Sequence, residues 1–354
     1  TIPAQSGESE IFLASLDTSG NTQWTRSIWS DTQWAAVPVQ ASIPGGEGFV
    51  LAGRFAGSIV LGEGEPEETL LSTAAIGDNE IFVATYGQDG SLGWAARLTS
   101  GYTGGTLSDV AATESGEVYV TGTYENYTTF GEGGANETEI YGALPYDAFL
   151  AMLSEGPQLQ WVRDLGGTGT EDPTGLEVLP DGSCVIVGGY NDYIVLLGGT
   201  APTTLYSAGG TDMFLARYDT AGNLMWARSA GGSSDDTPGD RPHGSRVDGD
   251  GRILLTGVFR HGATFGEESA PETITSTGEI DAFVARYLSD GTFETAWAMG
   301  GSLDDEGIAV AASGDGRFVG GTFQGAAEMG GPTEEKWLFA KGPQDIFVGR
   351  YGGE

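Results

Sequence analysis

DMFLARYDTAGNLMWARSAGG, residues 212–232, reads as a β-hairpin: an apolar run, a turn at Asp219, Gly222 and Asn223, a second apolar run through Trp226 and Arg228, and a Gly-Gly exit. Near-copies start at Glu10 (EIFLASLDTSGNTQW), Glu80 (EIFVATYGQDGSLGW), Asp147 (DAFLAMLSEGPQLQW) and Asp281 (DAFVARYLSDGTFETAW). A shortened sixth copy, DIFVGRYGGE, starts at Asp345. Successive starts lie 70, 67, 65, 69 and 64 residues apart. A fixed period of this length marks a repeat protein, in which a unit buries its core against its neighbours rather than alone. Residues 1–354 are therefore read as a single domain.

Two more strands follow each hairpin. With the hairpin strands named c and d, the next pair is a and b, as in a short a strand near Arg246–Val247, the turn DGDG (248–251) and RILLTGVF (252–259). Equivalent stretches begin at Ala35, Ser108, Gly175 and Gly307, each with Gly beside Asp, Glu or Ser at the junction, as a tight hairpin turn requires. A looser arm then leads to the next c strand, as in TFGEESAPETITSTGEI. Gly and Thr interrupt every window, and no segment keeps the spacing of an amphipathic helix. Four antiparallel strands in five repeats predict an all-β fold, a five-bladed β-propeller with a innermost and d outermost. Six c strands meet only five each of a, b and d, so the ring is expected to close by pairing of the N- and C-terminal strands.

The repeated side chains have structural readings. Trp24, Trp94, Trp161, Trp226 and Trp297 are expected in cores or between blades, with small Ala216 opposite Trp226. The acid opening each c strand (Glu10, Glu80, Asp147, Asp212, Asp281, Asp345) is expected to accept from backbone N–H groups or to pair with Arg. The pattern D-x-F-x-A-x-x-D-x-x-G-x-x-x-W, then GG, an acidic pair, I/V-A-V-x-x-x-G and V-x-G-x-F…FG resembles the bacterial β-propeller repeat (SBBP-type) family over nearly the whole chain. The resemblance implies the propeller fold and secretion, as in the proteins of myxobacteria and their relatives, and it assigns no activity.

Composition narrows the partners. A formal charge of −35, from 50 Asp and Glu against 15 Lys and Arg, argues against nucleic acid or anionic lipid. Such a surface suits a salty or calcium-containing medium as well as an ordinary acidic bacterial surface. One cysteine, Cys184 in the run CVIVGG, excludes an intramolecular disulfide framework and is expected to be buried and inert. No apolar run reaches the length of a membrane span. A chain that starts at Thr1 rather than Met is read as processed, and the protein is placed outside the cell or on its surface.

Candidate sites fall where acids cluster or where repeats depart from the pattern. Glu171–Asp172, Asp235–Asp236 and Asp304–Asp305 are expected as oxygen ligands of a structural calcium, since carboxylates on Gly-rich loops are hard donors. Trp29, Asp31 and Trp34 replace Gly and Asp of the other repeats. Together with Tyr102, Tyr190 and Tyr193 they are expected as ligand contacts, because an aromatic plate beside amides and carboxylates is what a sugar requires. Catalysis finds little footing: His243 and His261 are the two histidines, and no nucleophile elbow or HExxH motif accompanies them. The reading is a non-catalytic extracellular binding or adhesion propeller, glycan-binding in one form. The alternative is a structural subunit that self-assembles through its surplus edge strand, and the third reading is a hydrolase with an unrecognised site.

Overall fold

The computed structural model describes residues 11–351 apart from 31–35, 47, 74–78, 102–104, 143–145, 155, 234–238, 268, 315 and 332–335. Among the described residues there is no α-helix, and the strands form several antiparallel sheets. The chain divides into two compact units, Thr1–Asp164 and Leu165–Glu354.

In the first unit, an N-terminal hairpin (c Ile11–Leu16, d Thr22–Ser30) precedes sheet I, whose strands a to d are Ala36–Ile43, Gly48–Phe55, Glu80–Tyr86 and Leu92–Arg97. Sheet II follows with Leu107–Ala112, Val118–Tyr124, Asp147–Leu153 and Leu159–Gly167. The division between units falls inside that last strand. In the second unit, sheet III has Glu171–Val178, Cys184–Leu196, Thr203–Tyr218 and Leu224–Ala230. Sheet IV has Arg241–Val247, Ile253–Phe265, Glu272–Tyr287 and Phe293–Gly301. Sheet V has an a, a b and a c strand: Glu306–Ser313, Gly316–Phe323 and Asp345–Tyr351. The order a-b-c-d and the antiparallel pairing agree with the sequence reading.

Four of the c–d hairpins turn on an aspartate: Asp17, Asp89, Asp219 and Asp290. Asp219 Oδ1 accepts from the N–H groups of Ala221 (2.9 Å) and Asn223 (2.8 Å), so the side chain satisfies donors that the turn leaves over. A bulge then shifts the register between Arg217 and Tyr218. Ala216 consequently faces Ala227, and Trp226 faces Arg217 rather than Ala216. The indole reaches the following repeat: Trp226 Nε1 donates to Ser289 O (3.0 Å), as Trp24 Nε1 does to Gln88 O (2.7 Å). Under each ring sits the turn glycine of the next hairpin. A Cβ on Gly90 or Gly291 would stand 2.6 or 2.7 Å from the ring, and both have positive φ (77° and 82°).

Within each unit, successive sheets share cores by one rule. The second and fourth residues of a c strand pack forward, and the third, fifth and seventh pack back. Ile11 and Leu13 meet Phe82, Ala84 and Tyr86; Ile81 and Val83 meet Phe149, Ala151 and Leu153. In the second unit, Met213 and Leu215 meet Phe283, Ala285 and Tyr287, and Ala282 and Val284 meet Phe347. Cys184 lies fully buried in strand b of sheet III, where burial pushes its thiol pKa up and keeps it protonated.

The arms, expected as loose connections, are hairpins. Each pairs with the exit of the preceding d strand: Trp29 and Ser30 with Val60 and Ile59, Thr99 and Ser100 with Phe130 and Thr129, Leu165–Gly167 with Leu196–Ile194, Gly231 with Thr264, and Gly300 and Gly301 with Glu328 and Ala327. The d strands run past their own sheets, and these pairings satisfy the backbone groups that would otherwise be stranded. Ion pairs reinforce them, Arg26 with Glu65 (2.9 Å) and Arg228 with Glu267 (3.0 Å).

Candidate functional site

Strand b becomes the arm through one residue of left-handed backbone in every repeat: Gly57, Asn126, Asp192, His261 and Gly325, with φ of 72°, 57°, 61°, 56° and 60°. Asn and Asp tolerate this conformation better than other side-chain-bearing residues, which explains their place here. The kink turns the next residue outward. In the arm that follows strand b of sheet II that residue is Tyr127, directly opposite Tyr141 on the return strand. In sheet III it is Tyr193, directly opposite Tyr206. The same cross-strand position holds Ser58 and Ser72, Gly262 and Thr275, or Ala326 and Phe339 elsewhere.

Both tyrosine pairs stand on the surface. Tyr127 and Tyr141 are 53% and 70% exposed, with ring centroids 6.4 Å apart and planes inclined by 34°. Tyr206 is 72% exposed, and its centroid lies 6.0 Å from that of half-buried Tyr193. Each pair has polar company. Tyr141 Oη donates to Glu139 Oε2 (2.9 Å), a bond that raises the phenol pKa. Beside Tyr193, Thr168 donates to Asp192, and Asn191 Oδ1 accepts from Thr170 N (2.6 Å). Paired flat apolar faces rimmed by carboxylate and amide oxygens are able to stack on a sugar ring and orient its hydroxyls.

The residues named from sequence scatter. Asp31, Trp34, Tyr102, Asp235 and Asp236 lie outside the described residues. Trp29 is half-buried, and its backbone pairs with Val60. Tyr190, expected as a ligand contact, is instead buried in sheet III: its hydroxyl lies 2.7 Å from Ser229 Oγ and its ring packs edge-on to Phe214. It precedes the left-handed kink, so it points into the core, whereas Tyr193 follows the kink and points out. Tyr141 and Tyr206 were not singled out from sequence, because only the hairpin pairing of the arm sets them beside Tyr127 and Tyr193.

The acidic pairs divide in the same way. Asp172 and Asp304 are exposed, while Glu171 and Asp305 are buried at the start of strand a. Asp305 uses both oxygens internally, accepting from Gly301 N (2.6 Å) and Gln324 N (3.0 Å). The equivalent in sheet IV is Asp240, which accepts from Arg260 N (2.9 Å); four extra residues in that loop hide the equivalence in the sequence. The acids opening the c strands accept from the N–H four residues earlier: Asp212 from Ala208 (2.6 Å), Asp281 from Thr277 (2.6 Å) and Asp345 from Lys341 (2.8 Å). Glu80 pairs with Arg97 (3.2 Å).

Asp281 Oδ1 and Asp305 Oδ2 lie 2.6 and 2.8 Å from where a Cβ on Gly300 would stand, so only glycine fits between them. Burial lifts the pKa of Asp212 and Asp281 to about 6 and of Asp240 to about 7, with the neighbouring carboxylate adding to the rise at Asp240 and Asp281. Among the described residues no group of three or more His, Cys, Asp or Glu is disposed to hold a metal ion. His243 Nδ1 lies 3.0 Å from Glu306 Oε1 on the adjacent a strand, and burial lowers the imidazole pKa. His261 occupies the left-handed kink of its repeat. No described helix is long and apolar enough to cross a membrane.

No protein-family model matches the chain. It is similar to an uncharacterized WD repeat-containing protein of Acanthamoeba polyphaga mimivirus, 22% identical over 350 residues that cover 84% of this chain and 24% of the relative. The chain thus spans about a quarter of that relative's length. Repeated four-stranded antiparallel sheets and a WD-repeat relative together describe a β-propeller-like fold. Among solved structures, a luciferin-regenerating enzyme aligns over 80% of this chain and 88% of its own at 12% identity; its TM-score of 0.32 carries no argument about fold or activity.

Proposed function

We propose that this protein is a non-catalytic β-propeller binding scaffold, working outside the cell or at its surface, whose arms present tyrosine pairs to saccharides. The observation that carries the reading is the pair of exposed cross-strand tyrosine couples, Tyr127–Tyr141 and Tyr193–Tyr206, at one position of two successive repeats. The WD-repeat likeness supports a scaffold role. The SBBP-type pattern and the −35 charge favour secretion, and structural calcium on the exposed acids of the d–a loops belongs to the same proposal. Five blades remain the proposed count, four complete sheets and a fifth that lacks a d strand, with the N- and C-terminal strands available for closure.

A glycan array probed with wild type, Tyr141→Ala and Tyr206→Ala, each with and without calcium, tests this. Both variants should lose binding about tenfold with no change in Tm, because the removed rings are exposed and each stacked aromatic contributes roughly 1 kcal/mol or more. Wild-type binding that neither variant weakens, or no saccharide bound at all, overturns the reading.

A further inference from the structure

The two terminal c strands obey the forward-and-back packing rule on one face only. Interior strands Glu80–Tyr86 and Asp281–Tyr287 are buried along both faces, with Arg286 alone half-exposed. In the C-terminal strand Phe347 packs back into sheet IV, whereas Ile346 and Val348, the residues that pack forward elsewhere, are 79% and 77% exposed. In the N-terminal strand Ile11 and Leu13 pack forward, whereas Phe12 and Leu16, two of those that pack back elsewhere, are 68% and 60% exposed. Gly20, the turn glycine of that hairpin, has φ 82°, and a Cβ there would meet no described atom within 4 Å, whereas those on Gly90 and Gly291 would meet a tryptophan ring.

We infer that these two open faces join copies of this chain head to tail: the C-terminal sheet of one copy receives the N-terminal hairpin of the next. The partner chemistry is written four times in the molecule. At four junctions the second and fourth c-strand residues are covered by the back-packing residues of the next c strand, with Phe at the third place in each: Phe82, Phe149, Phe283 and Phe347. Phe12 is that phenylalanine in the N-terminal strand, and Ile346 and Val348 are the matching forward pair. Charge agrees with the match. Arg350 follows Val348 on the same exposed face, and Asp17 follows Leu16 at the end of the N-terminal strand. The two surfaces differ from each other, so the contact is heterologous, and successive copies build a ring or a filament rather than a two-fold dimer. This inference is independent of the saccharide reading and takes the place of closure of the same two strands within one chain.

Sedimentation velocity over a range of concentrations tests it with Phe12→Asp, which blocks the head, and Val348→Asp, which blocks the tail. Wild type should grow in mass with concentration. Each variant alone should remain a monomer, with association at least about tenfold weaker than wild type. An equimolar mixture should form a dimer and stop there, because one intact tail then meets one intact head and both outer ends are blocked. Circular dichroism of each variant checks that it is folded, and Phe12→Ser and Val348→Ser replace any variant that is not. A wild type that stays monomeric overturns the inference. If the monomer's Tm also falls in both variants, the chain closes on itself; if it does not, the faces await further repeats. A mixture that remains monomeric, or that grows beyond two copies, also overturns it.

Discussion

Trp226 and Trp297 lie on the same face of successive d strands, Trp226 opposite Arg217 and Trp297 two residues further along, opposite Val284, and they meet different surroundings. Trp226 bonds Ser289 O, covers Gly291, and carries the Arg228 guanidinium 5.7 Å from its ring centroid. Trp297 Nε1 is buried with no hydrogen-bond partner among the described residues. Its ring lies 5.6 Å from that of Tyr351, beside a cavity of about 590 Å³ that Val284, Leu338 and Phe347 also line. The first tryptophan is followed by a complete c–d turn, and the second by a sheet whose described strands are a, b and c. A tryptophan on this face of a d strand is therefore half of an interface, and its energetic worth depends on what the next sheet sets against it.

The sharpest way to break this comparison is at the turn glycines. Gly291→Ala should cost about 3 kcal/mol, from left-handed strain plus a methyl driven into the Trp226 ring. Gly20→Ala has the same φ but open space and should cost only about 1 kcal/mol. Urea unfolding of both variants reads the difference, and equal losses would remove the tryptophan from the account.

Acidity acts on the same two junctions. Asp212, Asp240 and Asp281 have folded pKa values of about 6 to 7, above the unfolded carboxylate value. Their protonated forms are favoured by folding, so this contribution is full below about pH 4 and is lost as pH rises through 6 to 7. Stability should fall by on the order of 5 kcal/mol at most between pH 5 and 8, and Asp240→Asn should flatten that slope in thermal melts. Asp17 and Asp89 act oppositely: bonds from Asn21 and Ser91 hold them below the usual range, so what they contribute is lost only in stronger acid.

The smallest effect is the most specific. Trp226→Phe removes a made hydrogen bond and should cost about 1 kcal/mol. Trp297→Phe removes a buried donor that lacks a partner and should be neutral or slightly stabilising. Chemical denaturation of the pair decides it; a loss at Trp297 as large as at Trp226 would mean that its N–H is satisfied in solution.

The c–d hairpins, the a–b pairs and the a-b-c-d order were legible because period-2 alternation and turn residues are local properties. The partner of Trp226 was not, since a single-residue bulge after Arg217 moves the register without leaving a sequence mark. The exposed tyrosines were half legible. Tyr193 stands out as an aromatic beside Asp192, but its partner Tyr206 lies thirteen residues away on a strand that alternates Thr, Leu and Ser and reads as connecting chain. Asp240 was hidden by a loop insertion that sets Asp235–Asp236 at the expected count from Gly232. Burial of Tyr190 depends on a backbone kink two residues later, at Asp192, which no propensity at Tyr190 itself reports.

The pairing of each d-strand exit with the following arm bears on how such a chain lengthens during descent. A duplicated block that starts at a c strand and ends at an arm contributes the outer half of one sheet and the inner half of the next. Inserted between existing blocks, it regenerates a whole sheet, a tryptophan over a glycine and a backbone stitch, all from contacts already selected. Copy number is thus free to change by recombination in the middle of the gene without a new interface being invented, and the cost of each gain or loss is confined to the two ends.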